Sequence, residues 1–271
     1  MKVLLIGDTS GNTDEGMKKV SFRLAESLNV FPDCEVFFVS MSDLFKKRSS
    51  YKDVNIIHFM GGPTWRTFIA GFVIRALINR KALIIISFIH PKWNVLSNLF
   101  LNLFKPDAAV VQTQKWADIT KKAIKKVKNI PLGGINTGKF HKITASEKYT
   151  LKKELGLPLD KIIVLHVGHL NSGRNLIVLN QLKDADDIFP LVIGSSTVNS
   201  NEKLVCILKN HGVKIISGYL PEVEKYYMAA DCYIFPTINS DFAIQLPLSV
   251  LEAIACRTPV LSTRYEALPF F

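Results

Sequence analysis

Three places in this 271-residue chain combine residue types and spacing that could do chemistry. Residues 168–175, GHLNSGRN, follow an apolar run at 161–167, KIIVLHV, and precede a segment read as helix from Leu176. His169 and Arg174 therefore stand after a strand and before a helix N-terminus, where backbone N–H groups and the helix dipole attract anions. A guanidinium can hold a phosphate through two parallel hydrogen bonds, whereas the charge of a histidine depends on pH. The plain alternative is a basic residue at a loop tip. His90 closes a nearly continuous hydrophobic run, 82–89. It falls where open parallel sheets collect their ligands, beyond the C-terminal ends of strands. His58 ends a similar run with a weaker claim, and either histidine could simply cap a strand end. Glu252 lies in LPLSVLEAIAC, 246–256. Ser249, three residues earlier, makes a capping box with it, so spacing alone leaves Glu252 open between a helix-start acid and a working carboxylate.

The elements that must position these residues alternate along the whole chain. Residues 2–7 are an apolar strand, followed by a polar loop at 8–16 and a helix at 17–28 with apolar residues at helical spacing. Neither G-x-G-x-x-G nor a closing G-K-[ST] is present, so this is not a dinucleotide fingerprint or a P-loop. Strands are expected at 35–40, 55–59, 82–89 and 108–112, with helices at 67–78 and 116–128. The continuous apolar character of 82–89 is that of a strand buried on both faces of a parallel sheet. Residues 130–140, IPLGGINTGKF, suit a connector, and the domain boundary is expected near residue 145. Beyond it, strands are expected at 161–167, 190–194, 214–218 and 232–236, then a helix from Ser249 and a short buried strand at 259–263. The order is that of two doubly wound α/β domains, 1–145 and 146–271.

Composition limits the function classes. With 48% hydrophobic residues the chain can bury a sizeable core. The four cysteines show no C-x-x-C or Cys/His ligand spacing, so they read as buried thiols in a reducing compartment. The five-residue apolar run at the N-terminus is too short for a signal peptide, and no charge-free apolar run approaches the ~18 residues of a membrane span. A cytoplasmic protein, or one peripheral on the inner face of the cell membrane, is expected. The net charge of +11 is uneven: residues 1–150 hold 23 Lys and Arg against 11 Asp and Glu, and residues 151–271 hold 11 against 12. The first half is therefore expected to meet something anionic, such as nucleic acid, a membrane surface or a phosphorylated acceptor. Lysines at 115, 121, 122, 125, 126 and 128 form its densest cluster. The apolar segments at 67–78 and 95–104, flanked by basic residues, fit either core helices or a protein lying on a membrane.

Residues 245–260 resemble the signature E-G-x-P-L-x-x-L-E-A-M-A-C-G-x-P-V of retaining nucleotide-sugar glycosyltransferases of family 4, the glycosyl transferases group 1. Gln245 to Leu248, Leu251 to Cys256, Pro259 and Val260 carry the match. Residues 130–140 are similar to that family's interdomain I-P-x-G-V-D-x-x-x-F, and Tyr227, Ala230, Asp231, Pro236 and Thr237 also match. The resemblance implies a GT-B fold of two facing Rossmann-like domains. It puts a ribose contact on Glu252, the diphosphate on His169 and Arg174 and the reaction centre near His90. It also puts a glycine-loop contact on Gly16 and base contacts at Gly218 and Tyr219. It implies no metal and no cofactor, because fixed cations and helix N-termini stabilise the departing diphosphate. The departures are Ile244, where the family has the glutamate that touches the donor sugar, and Arg257, where it has a glycine. The family also normally continues beyond the equivalent of Phe271, so the second domain is expected to be incomplete, in a fragment or a shortened relative.

The expected function is transfer of a sugar, with retention, from a nucleotide-diphospho-sugar to a glycan or lipid-linked acceptor by a hexosyltransferase-type enzyme. The alternative is a glycosyltransferase-like protein that binds a nucleotide or partner and transfers nothing, which Ile244, Arg257 and the short C-terminus favour. A nucleotide-sugar epimerase leaves the 244–260 match unexplained, and a nucleic-acid-binding protein would lack any recognised motif.

Overall fold

The computed structural model describes residues 1–9, 16–89, 95–131, 133–194 and 201–271. It divides into two compact units: residues 1–134 with 244–246 and 270–271, and residues 135–243 with 247–269. Each is built on one all-parallel sheet with helices, so the chain is α/β as its periodicity predicts.

In the first unit the strands are β1 (Lys2–Ile6), β2 (Glu35–Val39), β3 (Ile56–Met60), β4 (Leu83–Ser87), β5 (Ala108–Val111) and β6 (Lys126–Asn129). Their order in the sheet is β2-β1-β3-β4-β5-β6. The helices are α1 (Gly16–Asn29), α2 (Met41–Lys46), α3 (Trp65–Ile78), α4 (Val95–Leu103) and α5 (Gln114–Lys121). Ser40, Thr64 and Thr113 start α2, α3 and α5, each side-chain oxygen accepting a backbone N–H three residues on. Leu4, Ile57, Phe68, Ile84 and Trp116 fill the core between sheet and helices. Burying a side chain of this size contributes about 1.5–3 kcal/mol.

One expected element differs. The helix predicted over 116–128 ends at Lys121, and Lys126–Asn129 instead pairs with β5 as a sixth strand at the sheet edge. Val127 packs on the core while Lys126 and Lys128 point to solvent. That is the period of a strand, and edge lysines discourage pairing with further chains. The lysine cluster is therefore spread over a helix, a turn and a strand and is not one helix face.

The second unit contains α6 (Ala145–Glu154), β7 (Ile162–Gly168), β8 (Ile188–Gly194), α7 (Glu202–Asn210), β9 (Lys214–Ser217), α8 (Val223–Ala229), β10 (Cys232–Phe235), α9 (Leu248–Ala255) and β11 (Val260–Ser262). The sheet order is β11-β10-β7-β8-β9. The helix expected from Leu176 is a 3-10 helix, Leu176–Leu182. β11 is an edge strand with Leu261 62% exposed, not the buried strand expected at 259–263. Asp231 ties the unit together: its carboxylate accepts from Lys148 at 2.7 Å, Lys152 at 2.8 Å and the Ile163 N–H at 2.8 Å, joining α6 to β7 and the start of β10.

Helix ends explain another departure. Glycines 156 and 212 follow α6 and α7 in the left-handed conformation (φ 64° and 80°). Each closes a Schellman motif in which the next residue's N–H returns to a carbonyl five residues back. α9 closes in the same way, with Thr258 N–H donating to Ala253 O and Arg257 N–H to Ile254 O, but the left-handed residue is Arg257 (φ 59°). The backbone has kept the shape that suits glycine while the sequence has not.

Candidate functional site

In the second sheet the strand order reverses between β7 and β10. Ligands of open α/β sheets bind in the crevice beyond the carboxyl ends of the strands at such a switch point. β7 ends there in His166, Val167 and Gly168, and β10 in Ile234 and Phe235.

Arg174 occupies this crevice. It closes the 3-10 turn Ser172–Arg174 that follows β7. Asn175 comes next in left-handed conformation (φ 54°) and donates through Nδ2 to Pro236 O at 3.3 Å, pinning the turn to the end of β10. The guanidinium carbon of Arg174 lies 5.8 Å from the Phe235 ring centroid. The side chain is 8% exposed, its Nε has no protein partner, and among the described residues no carboxylate pairs with it. Burial accordingly lowers its pKa from the usual arginine value. A buried cation without a counter-charge is costly.

His166, inside the apolar run of β7, is fully buried. Its Nδ1 lies 2.9 Å from Ile234 O. Burial is the main cause that pushes its pKa down to about 3, the charges of Arg174 and His169 adding to it. The ring is therefore neutral, donates through Nδ1 and leaves Nε2 as a bare acceptor without a protein partner. Gly168 admits this arrangement, since a Cβ there would stand 3.1 Å from His166 Nε2 and 3.5 Å from Arg174 Nη1. His169, half-buried, lies on the same loop and within electrostatic reach of His166.

Glu252 is 4% exposed in α9. The capping-box alternative does not hold. Pro247 is the N-cap, no side chain caps the helix, and Ser249 lies inside it. Pro247 fixes the chain direction one turn before Glu252, which therefore sits in the second turn. Burial first, and the Glu252 carboxylate second, raise the pKa of Tyr227 well above that of an ordinary phenol. Tyr233, fully buried, is pushed up to about 12, chiefly by burial. Arg174 lowers and Glu252 raises its pKa as minor contributions beside burial.

The other predicted site residues are more scattered. Gly218 (φ 111°) and the exposed Tyr219 follow β9. They lie at the same carboxyl edge as Arg174, two strands from β7, or about 10 Å across the sheet. Gly16 opens α1 in the first unit, where an added Cβ would stand 3.2 Å from Ile244 Cδ1. His58 is buried, with Nε2 2.8 Å from Ser87 Oγ, and desolvation pulls its pKa down to about 4. His90 lies outside the described residues. His166 was missed by motif reading; its one signal is a lone polar residue in an otherwise apolar strand. Thr237, just after β10, is also fully buried with its hydroxyl unpartnered. Among the described residues no group of three His, Cys, Asp or Glu is placed to hold a metal ion.

Residues 147–269 match the family described as glycosyl transferases group 1. Over 120 residues, 43% of this chain and 28% of its relative, the sequence is 29% identical to the Bacillus subtilis (strain 168) protein named as a teichuronic acid biosynthesis glycosyltransferase, TuaC. Over 133 residues it is 31% identical to the D-inositol 3-phosphate glycosyltransferase of Corynebacterium jeikeium (strain K411), covering 44% of this chain and 31% of that protein. The matched segment thus spans less than a third of either curated relative. In fold, the whole chain is similar to 82% of Anabaena Alr3699/HepE, solved in complex with UDP-glucose, at a TM-score of 0.69 and 14% identity. The α/β architecture is that of GT-B glycosyltransferases. Residues 147–269, which carry a buried arginine at the switch point of their sheet, thus match the glycosyl transferases group 1.

Proposed function

We propose that this chain is a glycosyltransferase that moves a sugar from a nucleotide-diphospho-sugar to a glycan or lipid-linked acceptor, with retention at the anomeric carbon. One observation carries the reading. Arg174 is a nearly buried cation at the topological switch point, and the described residues supply it no carboxylate. A diphosphate would supply the missing charge through charge-assisted bonds. In this reading Arg174 and His169 hold the diphosphate and stabilise it as it departs, fixed donors doing most where water is excluded. Glu252 binds the ribose, and Gly218 and Tyr219 lie toward the base. The names of the relatives and the UDP-glucose complex of the Anabaena protein support the donor class.

The test is a thermal-shift panel of UDP, GDP, ADP, CDP and dTDP on the wild type, Arg174→Ala and Glu252→Ala. A ligand at 100 times its Kd adds about 2.7 kcal/mol of stability. A shift with one diphosphate, lost in both variants, is the expected result. A folded wild-type protein that shifts with none would overturn the proposal. Binding without transfer is the second reading, favoured by Ile244. It predicts the same shift with no sugar released or transferred, whereas the first predicts turnover that His90→Ala abolishes without affecting nucleotide binding.

A further inference from the structure

The solvent face of α3 is unusual for a surface helix. Phe68, Gly71, Ile74 and Ile78 point into the core of the first unit. The opposite face, where a surface helix normally carries polar residues, presents Phe72, Val73, Ala76 and Leu77, bounded by Arg66 at one end and Arg80 at the other. α4 packs beside it through Trp65–Phe100 and Phe72–Phe104 ring contacts at 5.7 and 5.0 Å. Its outer face repeats the pattern, with Leu96, Leu99 and Leu103 51%, 53% and 63% exposed. On the other flank of α3, a groove of about 280 Å³ runs against Met41 and Phe45 of α2, with Arg66 on its rim. Exposed apolar patches of this continuity mark interaction surfaces.

The charge around the patch selects the partner. Residues 41–107 carry ten Lys and Arg against three Asp, a balance of +7, and Asp107 pairs with Arg75 of α3 at 3.1 Å. Asp53 is paired with Lys2, and Asp43 lies 3.9 Å from Lys46. A second copy of the chain would bring this basic rim against itself. At 14 residues, about 21 Å, α3 is too short to cross a bilayer, and no described helix is long and apolar enough to do so. An apolar face with cations at its border is the composition of a helix lying in a membrane interface.

We infer that the α3–α4 face of the first unit docks on an anionic lipid bilayer, the leucines and Phe72 entering the acyl boundary and Arg66, Arg80 and Lys81 meeting headgroup phosphates. This inference does not rest on the proposed sugar-transfer activity. The probe is flotation with phosphatidylcholine vesicles with and without 30% phosphatidylglycerol, at 50 and 300 mM salt. Binding is expected only to the anionic vesicles and should weaken with salt. Leu99→Glu should lower partitioning about tenfold, and the Arg66→Glu, Arg80→Glu, Lys81→Glu triple about a hundredfold. Both variants alter exposed positions, so an unchanged circular dichroism spectrum and unchanged UDP shift are required of them as folding controls. Equal binding of both variants and wild type overturns the inference. So does absence of wild-type binding, or a concentration-dependent dimer that Leu99→Glu dissolves while no vesicle is bound. Loss of nucleotide binding in the wild type would count against the donor site alone.

Discussion

Arg174→Met separates a binding arginine from a structural one by the sign of its effects. Methionine fills much the same volume without charge or donors. In the free protein the arginine is 8% exposed, has no carboxylate partner among the described residues and lies against the Phe235 ring. A buried unpaired charge costs several kcal/mol, and a desolvated cation–π contact returns up to about 2 kcal/mol. Replacement should therefore leave the free protein as stable as before, or more stable by about 1–2 kcal/mol. With the nucleoside diphosphate that shifts the wild type, the effect reverses. Two charge-assisted bonds to phosphate, at about 1.5–3 kcal/mol each, are lost, and the Kd should rise at least roughly a hundredfold. Urea denaturation gives the first quantity and titration calorimetry the second. Arg174→Lys keeps the charge but not the planar fork, and should fall between the two in affinity. A free Arg174→Met protein destabilised by 2 kcal/mol or more, by the scale of structural losses, with its diphosphate affinity intact, would refute the reasoning.

Other outcomes follow from the same geometry. Gly168→Ala puts a methyl 3.1 Å from His166 Nε2 and 3.5 Å from Arg174 Nη1, so it should weaken diphosphate binding about tenfold or more, measured by calorimetry, with a stability loss of about 1 kcal/mol. Arg257→Gly relieves a left-handed side chain at the end of α9 and should raise stability by about 0.5–1 kcal/mol in urea. Asp231→Asn leaves Lys148 and the nearly buried Lys152 without their carboxylate and should cost about 2 kcal/mol or more. His58 and His166 are held neutral at pKa values of about 4 and about 3, below the unfolded value of 6.5. The unfolded chain therefore binds more protons between those limits. Stability is full above pH 6.5 and falls as pH drops, by up to about 2 kcal/mol per histidine at pH 5. His58→Gln should flatten the profile of the thermal midpoint against pH.

Much of the architecture is legible in the order of residues because it rests on local rules. Apolar runs of four to eight residues between turn residues read as strands, and their alternation with helical periodicity gives two α/β units. Arg174 could be picked out as a phosphate candidate because it stands between a strand and a helical segment, a pattern that a plain loop-tip cation shares. The side-chain partners were not legible. Ser249 and Glu252 have capping-box spacing, yet Pro247 takes the N-cap and places Glu252 in the interior of α9. Lys126 to Asn129 continue a helical pattern in sequence and become a strand because β5 offers an open edge to pair with. His166 was hidden in a run of valine and leucine, and only the neighbouring strand β10 makes it a neutral acceptor beside Arg174.

By itself, the sequence determined the class of fold, the positions of the strand ends and the uneven charge. These depend on period and composition, which the chain carries locally. The tertiary structure alone decided which strand ends became neighbours. The reversal between β7 and β10 brings residues 166–174 against 233–237, more than fifty positions away. Strand order in a parallel sheet is set by how crossovers pack on its two faces. No spacing rule in the sequence encodes that, and it is what turns a loop arginine into a buried cation with no carboxylate partner among the described residues.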